Sequence, residues 1–173
     1  MINEILNIIY LIMPGYFANM SPIFFKKINF LNYPVDFNES LNGKRIFGEN
    51  KTFRGIFFGI IIAIIISYIQ KIINLQGTII NYDNFILIGF LLGFGALFGD
   101  LVKSFFKRRV NIAPGRPFIP FDQLDHIIFS LLFLSFFYKI EINIFIIAIL
   151  TTFPLHMIVN YIGYKLKLRN TYW

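Results

Sequence analysis

The sequence contains no cysteine and few charged residues. Asp, Glu, Lys and Arg make up 14% of its 173 residues, whereas an average soluble domain has about 25%. The lack of cysteine excludes disulfides, thiolate metal sites and cysteine nucleophiles. The shortage of charge excludes a polar surface large enough to cover a globule in water, so we expect lipid to be the solvent of this chain.

Apolar residues take the place of the missing charges. They make up 57% of the chain, with 23 Phe, and the mean hydropathy is +0.67. A helix that crosses a bilayer needs about 20 mostly apolar residues. We therefore predict one all-α domain over residues 1–173 with five transmembrane helices. The predicted spans are 2–18 (interrupted at Pro14 and Gly15), 55–73, 85–102, and two within 121–164 that a tight turn at 139–141 separates.

The basic residues fall almost entirely on one side of these spans. The net charge is +7, and 14 of the 16 Lys and Arg lie on that side: Lys26, Lys27, Lys44, Arg45, Lys51, Arg54, Lys103, Lys107, Arg108, Arg109, Arg116, Lys165, Lys167 and Arg169. Cytoplasmic loops carry the excess of Lys and Arg. We expect a cell-membrane protein with its N-terminus outside and its C-terminus in the cytoplasm. Lipid head groups or a phosphorylated substrate explain the charge better than nucleic acid.

The third span is rich in small residues. Gly89 and Gly93 are four residues apart, and so are Gly95 and Gly99. Such pairs let another helix approach closely. Plain helix packing is one interpretation, and a groove for a lipid tail is the other.

Carboxylates cluster where the third span ends and the fourth begins. A continued third helix would place one polar stripe at positions i, i+3, i+4 and i+7, formed by Asp100, Lys103, Ser104 and Lys107. The apolar part of the fourth span, 127–138, covers only about 18 Å, so that helix must begin earlier and include Asp122 and Asp125. Three carboxylates at the edge of a bilayer are costly and indicate function.

Oxygen ligands without cysteine suit a hard cation, Mg²⁺ first. With only two histidines a zinc site is not expected, although His126 could support the carboxylates, and His156 fits an interhelical hydrogen bond. A structural ion network is the alternative. In that interpretation Asp100 pairs with Lys103 or Lys107, and Asp122 and Asp125 pair with Arg108 and Arg109.

Two basic segments accompany the carboxylates. The loop 114–120 has three prolines in seven residues, and such a rigid loop can hold Arg116 over a phosphate. The segment 41–55 combines glycines with basic residues and opens a helix near Thr52, whose N-terminus can bind anions. Its spacing is not that of a Walker loop.

Taken together, these motifs resemble the archaeal CDP-archaeol synthase family over nearly the whole chain. The motifs are residues 14–22, 43–55, and the stretch from Gly99 through Lys103 and Lys107 to Asp125. The last stretch also resembles bacterial and eukaryotic CDP-diacylglycerol synthases. The Lys-Asp pair and Pro-Gly-His-Gly-Gly run of that wider group are absent between Arg109 and Asp122, which favours the archaeal branch.

The resemblance implies transfer of the cytidylyl group of CTP to an unsaturated isoprenoid dialkylglycerol phosphate, with Mg²⁺ as cofactor. It implies no protein partner. The implied catalytic residues are Asp100, Asp122, Asp125 and Lys107, with the three carboxylates as metal ligands. The implied substrate-binding residues are Lys44, Arg45, Lys51, Thr52, Arg54, Lys103, Ser104, Arg108 and Arg116.

Two other classes stay open on the sequence. One is a small transporter or channel with an acidic vestibule, although the opposite side lacks a matching set of charges. The other is a related lipid enzyme, either a diacyl phosphatidate cytidylyltransferase or a polyprenol kinase.

Overall fold

The computed structural model describes residues 2–165 and contains five α-helices and one two-stranded hairpin. The helices are α1 (Ile2–Phe24), α2 (Phe53–Ile73), α3 (Phe85–Arg109), α4 (Phe121–Ser135) and α5 (Ile142–Lys165). The hairpin strands are β1 (Ser40–Leu41) and β2 (Lys44–Arg45), which pair antiparallel. The all-α membrane architecture is confirmed. Lys167 and Arg169, which we counted on the basic side, lie outside the described residues.

Helix length decides how the bundle fits a bilayer. In the described part of the chain, α2, α3 and α5 are long and apolar enough to cross. At 1.5 Å per residue, α3 is about 37 Å long, so it exceeds the roughly 30 Å hydrocarbon core. The 15-residue α4 covers only about 22 Å. It does begin early enough to include Asp122 and Asp125, as its short apolar part predicted.

Helix α1 runs without a break through Pro14 and Pro22, so the interruption expected at Pro14 is wrong. A proline leaves the carbonyl four residues earlier without its helical partner. Here other donors serve those carbonyls. The side chain of Gln70 in α2 donates to the carbonyl of Tyr10, and Ser21 Oγ donates to the carbonyl of Ala18 at 2.9 Å. Both freed groups are therefore satisfied inside the bundle, as lipid requires.

Helix α3 lies at the centre of the bundle, and its glycines allow close contact with α2 on one face and with α4 on another. A Cβ added at Gly89 would lie 2.5 Å from Ile64 Cα of α2. A Cβ at Gly95 would lie 2.5 Å from the carbonyl oxygen of Phe129 in α4, and one at Gly99 would lie 2.6 Å from that of Asp125. The packing interpretation of the glycine pairs is confirmed, since atoms of the neighbouring helices α2 and α4 fill the space beside them.

The remaining connections are short or hydrogen-bonded. The turn predicted at 139–141 lies between α4 and α5. Thr52 caps α2, because its side chain accepts a hydrogen bond from the Gly55 N–H at 3.3 Å. The segment between α1 and α2 folds back, so that Val35 N donates to the Lys51 carbonyl at 2.7 Å. The C-terminal ends of α1 and α3 and the N-terminal ends of α2 and α4 form what we call the charged end of the bundle.

Candidate active site

A cavity of about 850 Å³ opens at the charged end of the bundle. Its walls come from all five helices, from residues 47–52 before α2, and from residues 114–117 before α4. The sequence-predicted residues along it are Lys51, Thr52, Asp100, Lys103, Ser104, Lys107, Arg108, Arg116 and Asp122. The cavity therefore brings together residues that are distant in the sequence, such as Lys51 and Asp100, which are 49 positions apart.

Lys103 lies among three carboxylates at one side of the cavity. Its Nζ is 2.9 Å from Asp125, 3.1 Å from Asp100 and 3.3 Å from Asp122. Two of the carboxylates come from α4 and one from α3, and the helix contact at Gly99 brings them together. Like charges this close repel, and the ammonium group between the three carboxylates offsets that repulsion.

Lys51 completes the ion network from the other side. Its Nζ lies 2.5 Å from Asp100 Oδ2, which links the segment before α2 to the end of α3. The sequence predicted Lys51 as a phosphate-binding residue but gave no sign of this partner. Asp100 therefore pairs with two lysines, Lys51 and Lys103, and both line the cavity.

Lys107 connects the network to the proline-rich loop. It is 7% exposed, donates to the Arg116 carbonyl at 2.5 Å and lies 3.3 Å from Asp122 Oδ1. Asp122 also accepts a hydrogen bond from the Phe118 N–H at 2.5 Å. These bonds fix the loop that places Arg116 at the cavity.

The structural ion network that we considered as an alternative exists in part. Asp100 does pair with Lys103. Arg109, however, does not join it through its described contacts: its guanidinium donates to the carbonyls of Leu41, Lys44 and Arg45 at 2.7–3.0 Å. It ties the hairpin to α3. The Nε atom of Arg108 is buried and makes no hydrogen bond, although this residue lines the cavity.

The carboxylate oxygens of Asp100, Asp122 and Asp125 are ligands of the kind that a hard divalent cation prefers, but the Lys103 ammonium group lies between them. No group of three His, Asp or Glu within residues 2–165 is arranged to hold a metal ion. Instead the three carboxylates surround the Lys103 ammonium. Carboxylate oxygens gathered around one cation are the ligands that Mg²⁺ prefers, so the residue types fit such an ion.

Three predicted binding residues have partners away from the cavity. Lys44 Nζ donates to the Arg109 carbonyl at 3.1 Å, Arg45 pairs with Asp36 at 2.6 Å, and Arg54 donates to the Ile28 carbonyl at 2.6 Å. None of the three is part of the described cavity lining. Their contacts hold the segment between α1 and α2 together.

The sequence considered His126 and His156 singly and did not predict that polar residues of three helices would meet near the cavity. Asn19, Gln123, His156 and Asn160 line the cavity, and Gln123 Oε1 is buried without a hydrogen bond. His126 lies 3.4 Å from Asp125, in line with the supporting role considered for it. Its ring is 5.7 Å from that of His156 in α5. These residues are scattered over three helices, so no spacing in the sequence connects them.

Asp36 organises the segment between α1 and α2. It is 4% exposed. Burial alone would raise the pKa of Asp36, but hydrogen bonds from Arg45 and from the N–H groups of Gly48, Phe47 and Asn38 outweigh it. They hold this pKa well below its usual range, so Asp36 is ionised. The same ion pair raises the pKa of Arg45.

Comparison with known proteins agrees with this architecture. The family model described as "CarS-like: CDP-archaeol synthase" matches residues 1–173. The chain belongs to the CarS-like CDP-archaeol synthase family. Curated CDP-archaeol synthases similar to it include one from Pyrobaculum calidifontis, 34% identical over 172 residues, which are 99% of each chain. Another, from Methanococcus aeolicus, is 35% identical over 176 residues, which are 98% of this chain and 97% of its own.

A solved structure extends the likeness to three dimensions. It is described as an intramembrane enzyme for archaeal membrane lipid biosynthesis, is 27% identical, and has a TM-score of 0.76. The alignment covers 90% of this chain and 94% of the other. The family match and the structural match therefore support the same conclusion, a CDP-archaeol synthase family member with a five-helix intramembrane fold.

Proposed function

We propose that the protein transfers the cytidylyl group of CTP to 2,3-di-O-geranylgeranylglyceryl phosphate. The products are a CDP-linked archaeal lipid and pyrophosphate. The observation that carries the proposal is the cavity at the charged end of the bundle, where lysines and arginines surround a carboxylate cluster. The family to which the chain belongs supports the same reaction.

The chemistry joins two anions. An oxygen of the lipid phosphate attacks the α-phosphorus of CTP, a new P–O bond forms, and the bond to the β-phosphate oxygen breaks. The electron pair leaves with pyrophosphate. The lipid phosphate is already ionised near neutral pH, so no strong base is required. Positioning and charge neutralisation supply most of the catalysis in phosphoryl transfers of this kind.

We assign the two phosphate groups to different walls. Lys51, beside the capped N-terminus of α2, faces the triphosphate. Lys107, Arg108 and Arg116 hold the lipid phosphate or the departing pyrophosphate, and Ser104 donates a hydrogen bond to a phosphate oxygen. All of these residues line the cavity. Lys44, Arg45 and Arg54, which the resemblance implied as substrate ligands, act in this proposal by holding the loop.

Asp100, Asp122 and Asp125 would hold Mg²⁺, which neutralises phosphate charge and orients the phosphates when bound. The Lys103 ammonium group lies among these carboxylates. Its flexible side chain can turn to a phosphate oxygen while remaining in the site.

We further propose that the charged end of the bundle faces the cytoplasm of the cell, with the isoprenoid tails between apolar helix faces. The basic segments between the spans support this orientation. It gives CTP direct access from the cytoplasm and the lipid access from the bilayer.

A transporter or channel is not supported by the arrangement of charges. Charges that line a path should continue through the membrane. The carboxylate cluster Asp100, Asp122 and Asp125 lies at the end of α3 and the start of α4. The cavity lining of the described residues includes none from the connections at the opposite end of the bundle, 74–84 and 136–141.

The experiment is a turnover assay in detergent, where no gradient exists. Purified protein receives CTP, Mg²⁺ and the unsaturated dialkylglycerol phosphate, and CDP-lipid is measured. Asp122→Asn should lower turnover by at least about 100-fold, the scale of losing a group that acts in the transition state. Glu49→Gln, which changes an exposed carboxylate at the same cavity, should stay active. Wild-type turnover by Asp122→Asn would make the ligand assignment wrong.

The acceptor range separates the related enzymes. The ether-linked phosphate should be used, while diacyl phosphatidate should react poorly and a polyprenol alcohol not at all. Preferential use of phosphatidate would favour the diacyl cytidylyltransferase, and phosphorylation of the alcohol would favour the kinase.

A further inference from the structure

Asp36 is a buried carboxylate that lies outside the cavity lining and takes no direct part in the proposed reaction. Its side chain has no exposed surface, and an isolated buried carboxylate would be very costly. Five bonds compensate. Arg45 contributes two, at 2.6 and 3.2 Å. The N–H groups of Phe47 and Gly48 donate at 3.0 Å each, and that of Asn38 at 3.2 Å.

Two of these donors belong to a wall of the cavity. Residues 47–52, which we call the loop wall, line it between α1 and α3. Phe47 N and Gly48 N both bond to Asp36 Oδ2, so this one oxygen fixes the start of the loop wall. Gly48 has φ +107°, a turn conformation suited to glycine.

The loop wall then carries this position on to Lys51. The Lys51 N–H donates to the Gly48 carbonyl at 3.1 Å, and the Lys51 carbonyl accepts from Val35 N at 2.7 Å. The Lys51 ammonium reaches Asp100 at 2.5 Å. A short chain of contacts therefore runs from Asp36 through Gly48 and Lys51 to Asp100.

We propose that Asp36 is a positioning residue for the nucleotide end of the site. It holds the loop wall so that Lys51 meets the triphosphate of CTP, without itself touching a substrate. This inference rests on the proposed cytidylyl transfer and goes beyond it, because it assigns a role to a residue outside the cavity.

A carboxylate is required at this position, and an amide cannot replace it. Each oxygen of Asp36 accepts at least two hydrogen bonds. In Asp36→Asn, one oxygen becomes an NH₂ group that only donates. Whichever way the amide turns, it places its donors against Arg45 and at least one backbone N–H.

The kinetic test compares Asp36→Asn with Glu39→Gln, an exposed carboxylate of the same segment. We expect Asp36→Asn to raise the KM for CTP by about tenfold or more, the scale of one lost hydrogen bond to a charged group. The KM for the lipid phosphate and kcat should stay within about twofold. Glu39→Gln should change neither KM. A purely structural role would reduce the amount of active enzyme and leave both KM values unchanged, which would overturn the inference.

A spectroscopic test does not depend on turnover. The chain has no cysteine, so a spin label on Glu49→Cys reports on the loop wall alone. Adding Asp36→Asn should increase the mobility of the label, whereas adding Glu39→Gln should not. Identical spectra would overturn the inference.

Two further outcomes keep the proposals apart. If Asp36→Asn yields no folded protein, Arg45→Gln replaces it. This variant removes the two Arg45 bonds that hold the Asp36 carboxylate in place, so the oxygen that binds Phe47 N and Gly48 N is held less firmly. It should raise the KM for CTP, by less than tenfold, and increase label mobility; unchanged values of both would overturn the inference. If wild type and Glu39→Gln both fail to consume CTP, the proposed function falls, and the spin-label result then decides the role of Asp36 alone.

Discussion

Lys103 is the residue on which the charge balance of the site depends. Its Nζ lies within 3.3 Å of three carboxylates, and its side chain is 12% exposed. We expect Lys103→Met to lower the free energy of unfolding by about 2 kcal/mol or more, because it removes the ammonium group beside the buried Asp125 and reduces the positive charge next to Asp100 and Asp122. Turnover should fall as well. Thermal unfolding in detergent measures the first effect.

The matched control is Lys139→Met, at an exposed lysine between α4 and α5, which should leave stability nearly unchanged. Equal melting temperatures for Lys103→Met and Lys139→Met would show that the carboxylates do not depend on the ammonium.

Asp36 predicts a pH dependence of stability. Its folded-state pKa is lowered, so its contribution is fully present above its unfolded pKa of about 3.9 and is lost as the pH falls through and below that value. Asp36→Asn cannot titrate. The stability difference between wild type and Asp36→Asn should therefore be large at pH 7 and shrink toward pH 3, as measured by thermal unfolding. A difference that is constant over this range would contradict the lowered pKa.

For single residues, the sequence predicted which residue types form the site better than it predicted which residues contact each other. It indicated Asp100, Asp122 and Asp125 because carboxylates at a membrane edge are expensive. It did not indicate that Arg45 would pair with Asp36, since only the folded segment brings these residues into contact. Basic residues of one loop look alike in a sequence, and their carbonyl and carboxylate partners decide which of them face the cavity.

Among the helices, α3 depends on close backbone contact. Gly95→Ala should destabilise the protein by about 1–3 kcal/mol, the usual cost of overpacking, because the new Cβ would meet the Phe129 carbonyl at 2.5 Å. Gly55→Ala in α2 is the control. Its Cβ would lie 3.4 Å from Pro22, so it should be neutral or slightly stabilising. Thermal unfolding measures both variants. Equal decreases in the melting temperature for Gly95→Ala and Gly55→Ala would rule out this account of α3.

The helices show where sequence patterns succeed and where they fail. The four-residue spacing of glycines predicted close packing because it depends on one helix alone. The continuity of α1 did not follow from its sequence. The carbonyl that Pro14 frees is bonded by Gln70, a residue of another helix, 60 positions from Tyr10.

For the molecule as a whole, the bilayer orientation is the open structural prediction. The absence of cysteine permits single-cysteine labelling at Glu39, on the basic side, and at Gln76, in the connection between α2 and α3. In intact cells, a membrane-impermeant maleimide should label Gln76→Cys, and it should reach Glu39→Cys only after permeabilisation. The reverse pattern would place the charged end of the bundle outside the cell.

The central claim is that the α-phosphate of CTP is transferred to a lipid phosphate. The most direct measurement follows two labelled forms of CTP through the purified protein with Mg²⁺ and 2,3-di-O-geranylgeranylglyceryl phosphate. The account predicts that label in the α-phosphate appears in the lipid product and label in the γ-phosphate appears in pyrophosphate. Lipid carrying the γ-label, or CTP that is not consumed with this acceptor, would contradict it.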